Sequence, residues 1–344
     1  MIRNALTISM VALLLTLTAQ AQWTTQDVKT TASLRGLSAV NAKVVWASGT
    51  GGTVLRTVDG GAMWEVIQVP NADKLDFRDI EAFDEKTAYI LSIGNGAASR
   101  IYKTTDGGKT WWLSFQNTNE QAFFDAIAFW DKDHGLAMSD PVGISGKGRF
   151  LILTTDDGGK SWRSIEKMNM PEALAGEGGF AASGTCLITQ GKNGAYFVTG
   201  GKTARVFRSA DRGRSWAVSE APLRNDGAAA GAFSIAFKDD KVGMIVGGDY
   251  QKPDDREAIG AQTQDGGKTW TLLENQPYGF RSCVVWANGI WAVAGTSGSD
   301  YALKLNEPWI GLGRGKFNSV QFTQDIGWAV GPDGRVGKFV GKLK

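Results

Sequence analysis

The chain has 344 residues, of which 42% are hydrophobic and 21% are charged, a composition typical of a globular, water-soluble protein. Its formal net charge of +2 gives no reason to expect a nucleic-acid partner or binding to an acidic membrane surface. The 45 glycines are nearly double the usual share of roughly 7% and indicate many tight turns.

Residues 1–21 have the pattern of a signal peptide. Arg3 supplies a positive charge, residues 6–17 form an apolar core, and Ala19-Gln20-Ala21 fits a small-x-small cleavage site. We therefore predict cleavage after Ala21 and a secreted or periplasmic protein, with no membrane insertion once the segment is removed. An uncleaved anchor helix is the alternative, although a membrane span needs about 20 apolar residues.

A nine-residue pattern recurs five times along the rest of the chain, most clearly as Lys-Thr-Thr-Asp-Gly-Gly-Lys-Thr-Trp at 103–111. Asp-Gly-Gly between β-rich runs is typical of a hairpin turn, because Asp accepts bonds from nearby backbone amides and glycine adopts positive φ. The closing tryptophans recur at an interval that predicts propeller or solenoid units. We predict a structural role for the aspartates and tryptophans of all copies: Asp59, Asp106, Asp157, Asp211, Asp265, Trp64, Trp111, Trp162, Trp216 and Trp270.

Each copy is preceded by short runs rich in β-branched and aromatic residues, which predict strands. Two later units have these runs without the nine-residue pattern, so the chain holds seven units. They begin at Arg35, Arg78, Phe124, near Phe180, and at Phe233, Arg281 and Phe317. The seventh unit stops after its third strand, and residues 23–28 offer the missing one. We predict an all-β fold, a seven-bladed β-propeller forming a single domain over residues 22–344.

Polar residues gather on one face of the predicted ring. The five repeated turns lie on one face, here called the box face, and the loops between second and third strands lie on the opposite, loop face. We predict a ligand-binding rim on the loop face, made of Arg35, Arg78, Arg281, Arg100, Arg149, Arg205, Asp140, Asp249 and Tyr250. Guanidinium groups suit carboxylate or phosphate recognition. The alternative is that arginines and aspartates only neutralise one another between blades.

Histidine and cysteine are too scarce for common metal or nucleophile chemistry. His134 is the single histidine and lies in a predicted turn on the box face. Cys186 and Cys283 lie in different units, and we expect two buried free thiols rather than a disulfide. We predict no metal site, no His-based triad and no cofactor.

The repeated turn resembles the Asp-box, or BNR repeat, found in sialidase-like and related propellers. With the phrase Phe-Arg-Asp-Ile-Glu-Ala-Phe at 77–83 and Gly-Trp-Ala-Val at 327–330, the chain is similar to the photosystem II stability/assembly factors over nearly its whole mature length. The loops at 139–141 and 247–250 look more like relatives from non-photosynthetic bacteria. The resemblance implies a non-catalytic propeller, of the sialidase and WD40-YVTN-like type, whose arginine patch would be Arg35, Arg78 and Arg281.

We therefore expect an exported, monomeric scaffold that binds a protein, an acidic small ligand or a glycan on its loop face. The competing hypothesis is a glycoside hydrolase, sialidase-like or xyloglucanase-like. Its acid and base would be Asp140 and Asp249, with Asp125 as a further candidate. Two features weigh against it: no proline has an arginine two positions earlier, as the sialidase motif requires, and the chain holds one propeller rather than two.

Overall fold

We describe residues 23–143, 148–323 and 326–340 of a computed structural model. The signal peptide predicted at 1–21 lies outside these residues. The described residues form β-strands and two short 3-10 helices, Gly96–Ala98 and Lys167–Asn169, with no α-helix. None of the helices in this part of the chain is long and apolar enough to cross a membrane.

Within the described residues the strands form seven antiparallel blades, as predicted. Blade 1 contains Leu34–Ala39, Val45–Gly49, Thr53–Thr57 and Glu65–Gln68. Blade 2 contains Phe77–Ala82, Ala88–Ser92, Arg100–Thr104 and Trp112–Gln116. Blade 3 contains Phe124–Phe129, Gly135–Val142, Arg149–Thr155 and Arg163–Ser164. Blade 4 contains Leu187–Gln190, Gly194–Val198, Arg205–Ser209 and Ala217–Glu220.

The remaining blades complete the ring. Blade 5 contains Ala230–Phe237, Gly243–Asp249, Gly260–Thr263 and Thr271–Leu272. Two short strands extend its inner edge, Glu177–Gly178 and Gly200–Gly201. Blade 6 contains Cys283–Ala287, Ile290–Gly295, Gly298–Ala302 and Ile310–Gly313. Blade 7 contains Ser319–Thr323, Ile326–Val330, Val336–Val340 and, from the start of the described chain, Thr24–Thr25.

Burial falls from the second strand of a blade to its fourth. Val45–Gly49 and Ala88–Ser92 are buried at every position, whereas Glu65–Gln68 has three exposed residues of four. Second strands are packed on both faces, so they are continuous apolar runs rather than alternating ones. The hydrophobic core is therefore divided into clusters that lie between neighbouring blades.

The N-terminal segment closes the ring, as predicted. Thr24 pairs with Lys338 and Thr25 with Gly337, so the first described strand completes blade 7. Trp23 packs its ring 5.4 Å from Phe317 and 5.8 Å from Phe339, and its indole nitrogen donates to Ser299. The third strand of blade 7 thus has a partner on its outer side, and the outer edge of the blade is a strand of only two residues.

The repeated box turns, four with Asp-Gly-Gly and one with Asp-Arg-Gly at 211–213, are held by a shared set of backbone-amide hydrogen bonds. Asp106 Oδ1 accepts the Thr110 amide at 2.9 Å, and the Thr104 hydroxyl donates to the same carboxylate. The Thr104 oxygen in turn accepts the Gly108 amide at 2.9 Å. Bonds from the Thr110 hydroxyl and amide lower the pKa of Asp106 to about 2. Equivalent amide bonds reach the other box aspartates: Asp59, Asp157, Asp211 and Asp265.

Each of these turns also packs on the preceding blade. The Tyr89 hydroxyl of blade 2 donates to the Gly158 carbonyl of blade 3 at 2.7 Å. Gly108 has φ of +85°, and a Cβ there would lie 2.7 Å from Ile67 of blade 1, so only glycine fits. Trp111 meets Trp46 edge-on at 6.5 Å. The turns therefore join neighbouring blades, which agrees with the structural role predicted for them.

One boundary predicted from the sequence is wrong. Blade 4 begins at Leu187, not near Phe180, and residues 177–186 form the last part of the connection between blades 3 and 4, here called the blade 3–4 link. Phe180 resembled a first-strand aromatic in the sequence, but it lies in this link. The prediction failed because these residues do not form a first strand and instead run into the channel mouth, as described below. Cys186 and Cys283 are both buried free thiols, as expected.

The box turns should contribute to stability through their aspartates. Asp157→Ala removes the acceptor of the Ser161 amide and should lower the free energy of unfolding by about 1–2 kcal/mol, as for a lost helix cap. Bonds from the Ser161 hydroxyl and amide hold the pKa of Asp157 at about 2 in the folded protein, against a usual 3.8. The stabilisation should therefore be complete above about pH 4 and be lost as pH falls through about 2.

The matched control is Asp156→Ala. Asp156 is the adjacent residue of the same turn, and its side chain is 51% exposed and lies 3.9 Å from Arg214. Urea denaturation at neutral pH should separate the two variants. Equal stability of the Asp156 and Asp157 variants would contradict a structural role for the box aspartate.

Candidate functional site

Four blades aim a side chain into the channel mouth by the same backbone device. In the first strand of each, a β-bulge leaves one residue without a partner in the second strand. A bulge re-aims the side chain that it skips. The skipped residues are Arg35 in blade 1, Arg78 in blade 2, Asp125 in blade 3 and Phe233 in blade 5. All four line one cavity of 480 Å³ on the loop face, here called the mouth cavity.

Further lining residues come from the ends of strands and from the link. Tyr250 follows the second strand of blade 5, and Asp140 lies in the second strand of blade 3. The mouth cavity is also lined by Phe123, Gly179, Phe180, Ala181, Ala182, Phe280, Ser282, Thr296 and Asn318. The structure thus brings five of the predicted site residues together: Arg35, Arg78, Asp125, Asp140 and Tyr250.

The link of residues 177–186 forms one side of the cavity and fastens to several blades at once. Its Ala182 carbonyl accepts a hydrogen bond from Arg35, and its Ala181 carbonyl accepts a hydrogen bond from Arg78, both at 3.2 Å. Its Ser183 hydroxyl donates to the Ser282 carbonyl of blade 6 at 2.7 Å. The blade 3–4 link therefore reaches blades 1, 2 and 6 across the ring, and it narrows the channel.

A buried ion pair anchors the start of this link. Glu177 Oε1 accepts from Arg205 Nε at 2.9 Å and from the Thr199 hydroxyl at 2.6 Å. The Glu177 side chain is fully buried and that of Arg205 is 9% exposed. Arg205, predicted as a ligand-binding residue, is thus engaged inside the protein. Replacing one partner of such a pair leaves the other charge buried and uncompensated.

The two arginines of blades 1 and 2 make one side of the mouth cavity cationic. Arg78 Nε donates to Asp76 at 2.8 Å, and both side chains are about a quarter exposed. Burial, followed by the charge of Arg78, lowers the pKa of Arg35 to about 10. Arg35 nevertheless stays protonated at neutral pH. Its side chain has no carboxylate within ion-pair distance among the described residues.

Blade 3 makes another side of the cavity acidic. Asp125 is 1% exposed, and its Oδ2 has no hydrogen-bond partner in the described residues. Burial, reinforced by the charge of Asp140, raises the pKa of Asp125 well above its usual value. Burial also raises the pKa of Asp140, although the Gly179 amide donates to its Oδ1 at 2.7 Å and opposes that rise.

Aromatic rings form the third side. Phe180 of the link stacks on Phe233 of blade 5, with ring centroids 3.8 Å apart and planes 9° from parallel. Phe280 meets Phe233 edge-on at 4.8 Å, and Tyr250 lies 6.2 Å from it. Tyr250 is 48% exposed, so this apolar wall opens to solvent. The mouth cavity can therefore offer cationic, acidic and apolar contacts to one ligand.

Arg281 lies elsewhere, which corrects the alignment of blade 6 made from the sequence. The Leu34 amide donates to the Gly331 carbonyl, just after the second strand of blade 7. The Arg281 amide donates to the Gly247 carbonyl, near the end of the second strand of blade 5, and both distances are 3.0 Å. Arg281 is therefore equivalent to Leu34, and Ser282 is equivalent to Arg35. A shift of one residue turns a side chain to the other face of a strand. Arg281 is fully buried, with Nε 2.9 Å from Asp300 Oδ2.

The other predicted rim residues hold loops in place and do not line the mouth cavity. Arg100 donates to the Ala97 carbonyl at 2.6 Å, and Arg149 donates to the Met170 carbonyl at 2.6 Å. Asp249 accepts the Gln251 amide at 2.9 Å. The arginines therefore do not form a continuous rim, and a direct role for Arg100, Arg149, Arg205 and Asp249 in binding stays a prediction.

Sequence reasoning missed most of the aromatic wall, namely Phe180, Phe233 and Phe280. It also missed the two polar residues equivalent to Arg35, which are Ser282 and Asn318. A usable signal was present for the polar pair. Second strands of blades 1 and 6 end in Gly49 and Gly295, and aligning the units on these glycines would have matched Ser282 with Arg35. The path of the link had no such signal, because it depends on contacts with distant blades.

No group of three or more His, Cys, Asp or Glu side chains that could hold a metal ion occurs in the described residues. His134 Nδ1 lies 2.8 Å from Asp131 in the turn where the sequence placed it. The mouth cavity is thus made of guanidinium, carboxyl and aromatic groups, and its chemistry suits recognition of a charged organic ligand.

The sequence is similar to photosystem II assembly factors. The family described as photosynthesis system II assembly factor YCF48 matches residues 15–112, which include the first strands of blades 1 and 2 with Arg35 and Arg78. The photosystem II assembly protein Ycf48 of Thermosynechococcus vestitus is 23% identical over 289 residues, 72% of this chain and 74% of that protein. The resemblance inferred from the sequence is confirmed by these matches.

Solved structures share the fold. A structure of YCF48 bound to a D1 peptide has a TM-score of 0.65 at 16% identity and covers 93% of this chain and 97% of its own. A GH74 xyloglucanase from Xanthomonas campestris has a TM-score of 0.59 at 14% identity, covering 92% of this chain but only 53% of the enzyme. At such low identity these likenesses show a common propeller fold alone.

The buried position of Arg281 predicts a stability effect that Arg78 should not have. Arg281→Ala leaves Asp300 buried without its partner and should lower the free energy of unfolding by about 3–5 kcal/mol. Arg78→Ala removes an ion pair that is open to solvent, with each side chain about a quarter exposed, and should cost less than about 1 kcal/mol. Urea denaturation of both variants measures the difference. Similar losses in the two variants would contradict the assignment of Arg281 to the blade interior.

Proposed function

We propose that this chain is a non-catalytic propeller scaffold that binds a peptide segment of a partner protein in the mouth cavity. The observation that carries the proposal is the convergence of Arg35 and Arg78, from neighbouring blades, on one cavity. Two guanidinium groups can hold a carboxylate through paired, charge-assisted hydrogen bonds. The ligand group that they recognise is a carboxylate, from an acidic side chain or a free C-terminus.

The state of the two arginines supports this role. Each has one described bond to a link carbonyl, at 3.2 Å, and neither pairs with Asp125 or Asp140 within ion-pair distance. Burial lowers the pKa of Arg35 because its charge is desolvated. A bound carboxylate would restore a favourable environment for that charge. Arg35 thus has no carboxylate partner among the described residues, and Arg78 has Asp76 on its Nε, so the pair can accept a further anion from a ligand.

Similarity to assembly factors supports a protein partner. The solved YCF48 structure contains a D1 peptide, and the matching sequence region of the present chain includes Arg35 and Arg78. We propose that the present chain likewise binds a peptide of a protein partner. We further propose that it does so outside the cytoplasm, because residues 1–21 have the pattern of a cleaved signal peptide. We also propose that it acts as a monomer.

A peptide panel tests this proposal. Fluorescently labelled peptides with free acidic C-termini, the same peptides amidated, and acidic oligosaccharides are titrated with the protein, and anisotropy is recorded. The Arg35→Ala, Arg78→Ala double variant should weaken peptide binding at least about tenfold, because the carboxylate loses both guanidinium groups. The matched control, Arg163→Ala with Arg214→Ala, removes two exposed arginines outside the mouth cavity and should bind normally.

Two outcomes would contradict the proposal. In the first, the double variant binds peptides as tightly as the unchanged protein. In the second, acidic oligosaccharides bind in the mouth cavity and no peptide does, which would make the ligand a glycan rather than a protein segment.

A glycoside hydrolase is the second candidate, because one observation favours it. Asp125 and Asp140 line the same cavity, interact electrostatically, and both have raised pKa values. Glycosidases use two carboxyl groups, one of them held protonated as a general acid. Asp249, the other carboxyl proposed from the sequence, does not line this cavity, so Asp125 would take its place.

Hydrolysis assays separate the two candidates. Xyloglucan and a set of chromogenic glycosides are incubated with the protein, with Asp140→Asn and with Asp249→Asn. A hydrolase should lose turnover by about a hundredfold or more in Asp140→Asn and keep it in Asp249→Asn. Our preferred function instead expects no hydrolysis by any of the three proteins.

A further inference from the structure

The acidic side of the mouth cavity contains a buried carboxyl group whose environment is incomplete. Asp125 Oδ2 is buried without a hydrogen-bond partner among the described residues, and Asp125 as a whole is 1% exposed. Buried polar atoms are almost always paired, because an unpaired one loses its water and gains nothing. The space around it is tight on the link side, since a Cβ on Gly179 would lie 2.9 Å from this oxygen. The link cannot supply the missing partner, because Gly179 already gives its amide to Asp140.

No cation of the chain compensates for this pair of carboxyl groups. Neither Asp125 nor Asp140 has a lysine or arginine within ion-pair distance in the described part of the chain. Arg78 acts on Asp125 only through space, since its own bonds go to Asp76 and to the Ala181 carbonyl. The two carboxyl groups also oppose each other's ionisation. Asp140 is the more exposed of the two and lines the same cavity.

We infer that Asp125 and Asp140 form a second subsite of the mouth cavity, which binds an ammonium or guanidinium group. This inference rests on the proposed function, because the cationic group belongs to the same peptide ligand whose carboxylate lies on Arg35 and Arg78. The ligand is thus a dipolar segment, with a basic side chain or a free amino terminus close to a carboxylate. A cation would give Asp125 Oδ2 the donor that it lacks and would reduce the repulsion between the two carboxyl groups.

The aromatic wall fits the same ligand. Phe180 and Phe233 form a stacked pair beside the charged groups, and Tyr250 extends the wall to solvent. Basic side chains carry an alkyl stem that packs on apolar surface while the charged end finds a carboxylate. Aromatic faces also attract cations directly. The three sides of the cavity therefore match the carboxylate, the stem and the cationic end of one dipolar ligand.

Small dipolar probes test the second subsite directly. We would titrate the protein with ω-amino acids of increasing alkyl length, with the monocarboxylic acid of each length, and with the corresponding alkylamine, using calorimetry or saturation-transfer NMR. At one or more lengths the ω-amino acid should bind at least about tenfold more tightly than either single-ended analogue. Asp125→Asn should abolish this gain, so that the ω-amino acid binds no more tightly than the monocarboxylic acid of the same length.

Two further variants keep the test decisive. Asp140→Asn should also reduce the gain, whereas the matched control Asp226→Asn, at an exposed carboxylate outside the mouth cavity, should not. Thermal denaturation verifies folding of each variant. Asn preserves the shape of Asp125 and removes a buried carboxyl group whose Oδ2 has no partner among the described residues, so the melting temperature should not fall.

The outcomes separate this inference from the proposed function. The inference is overturned if no ω-amino acid exceeds its monocarboxylic acid, or if Asp125→Asn leaves the gain intact. If monocarboxylic acids fail to bind but alkylamines bind and lose affinity in Asp125→Asn, the carboxylate site on Arg35 and Arg78 is wrong and the cation subsite stands. If neither class binds, both are overturned.

Discussion

Each blade of this protein can bury its inner strands only against its two neighbours. Second strands such as Ala88–Ser92 are buried along their whole length, so an open ring would expose apolar strands at both ends. Blade 7 removes these ends by joining Val336–Val340 to Thr24–Thr25. Trp23 reinforces the junction through Phe317 and Phe339. Closure of the ring is therefore the constraint on which the blades, and the cavity that they surround, all depend.

The Asp-box turns help to hold neighbouring blades together around the ring. Inside each turn, the aspartate satisfies backbone amides, while glycines leave room for the preceding blade. Tyr89 donates across one such interface to Gly158, and Arg56 donates across another to Gly107. A turn that packs on its neighbour fixes the relative position of two blades. The box face therefore stabilises the ring, and the loop face remains available for binding.

On the loop face, two devices together convert the end of a channel into a binding cavity. The β-bulges turn Arg35, Arg78, Asp125 and Phe233 towards a common centre, although adjacent residues of the same strands point between the blades. The blade 3–4 link then crosses the mouth and accepts bonds from both arginines. Because the link is anchored by the buried pair of Glu177 and Arg205, the cavity has a defined wall before any ligand binds. Such preorganisation reduces the entropy lost on binding.

The placement of charge gives this cavity its chemical character. Arg35 and Arg78 lie on neighbouring blades, and Asp125 and Asp140 lie together on the next, yet no ion pair joins the two sets in the described residues. Were the charges only structural, they would be expected to neutralise one another, as Arg281 and Asp300 do in the interior. Separated charges beside an apolar wall instead suit a ligand that carries both signs.

The sequence by itself determined the all-β fold, the seven units, closure by the N-terminal segment and the role of the box turns, because these follow from local patterns that repeat. It also identified Arg35, Arg78 and Asp140 as loop-face residues. The equivalence of Arg281 to Leu34 was marked in the sequence only by Gly49 and Gly295, the glycines that end second strands. The tertiary structure decided it, because the face on which a strand residue lies depends on its register with the neighbouring strand. Likewise, only the structure placed Phe180 in the mouth, because the path of the blade 3–4 link is set by partners on distant blades and not by its own residues.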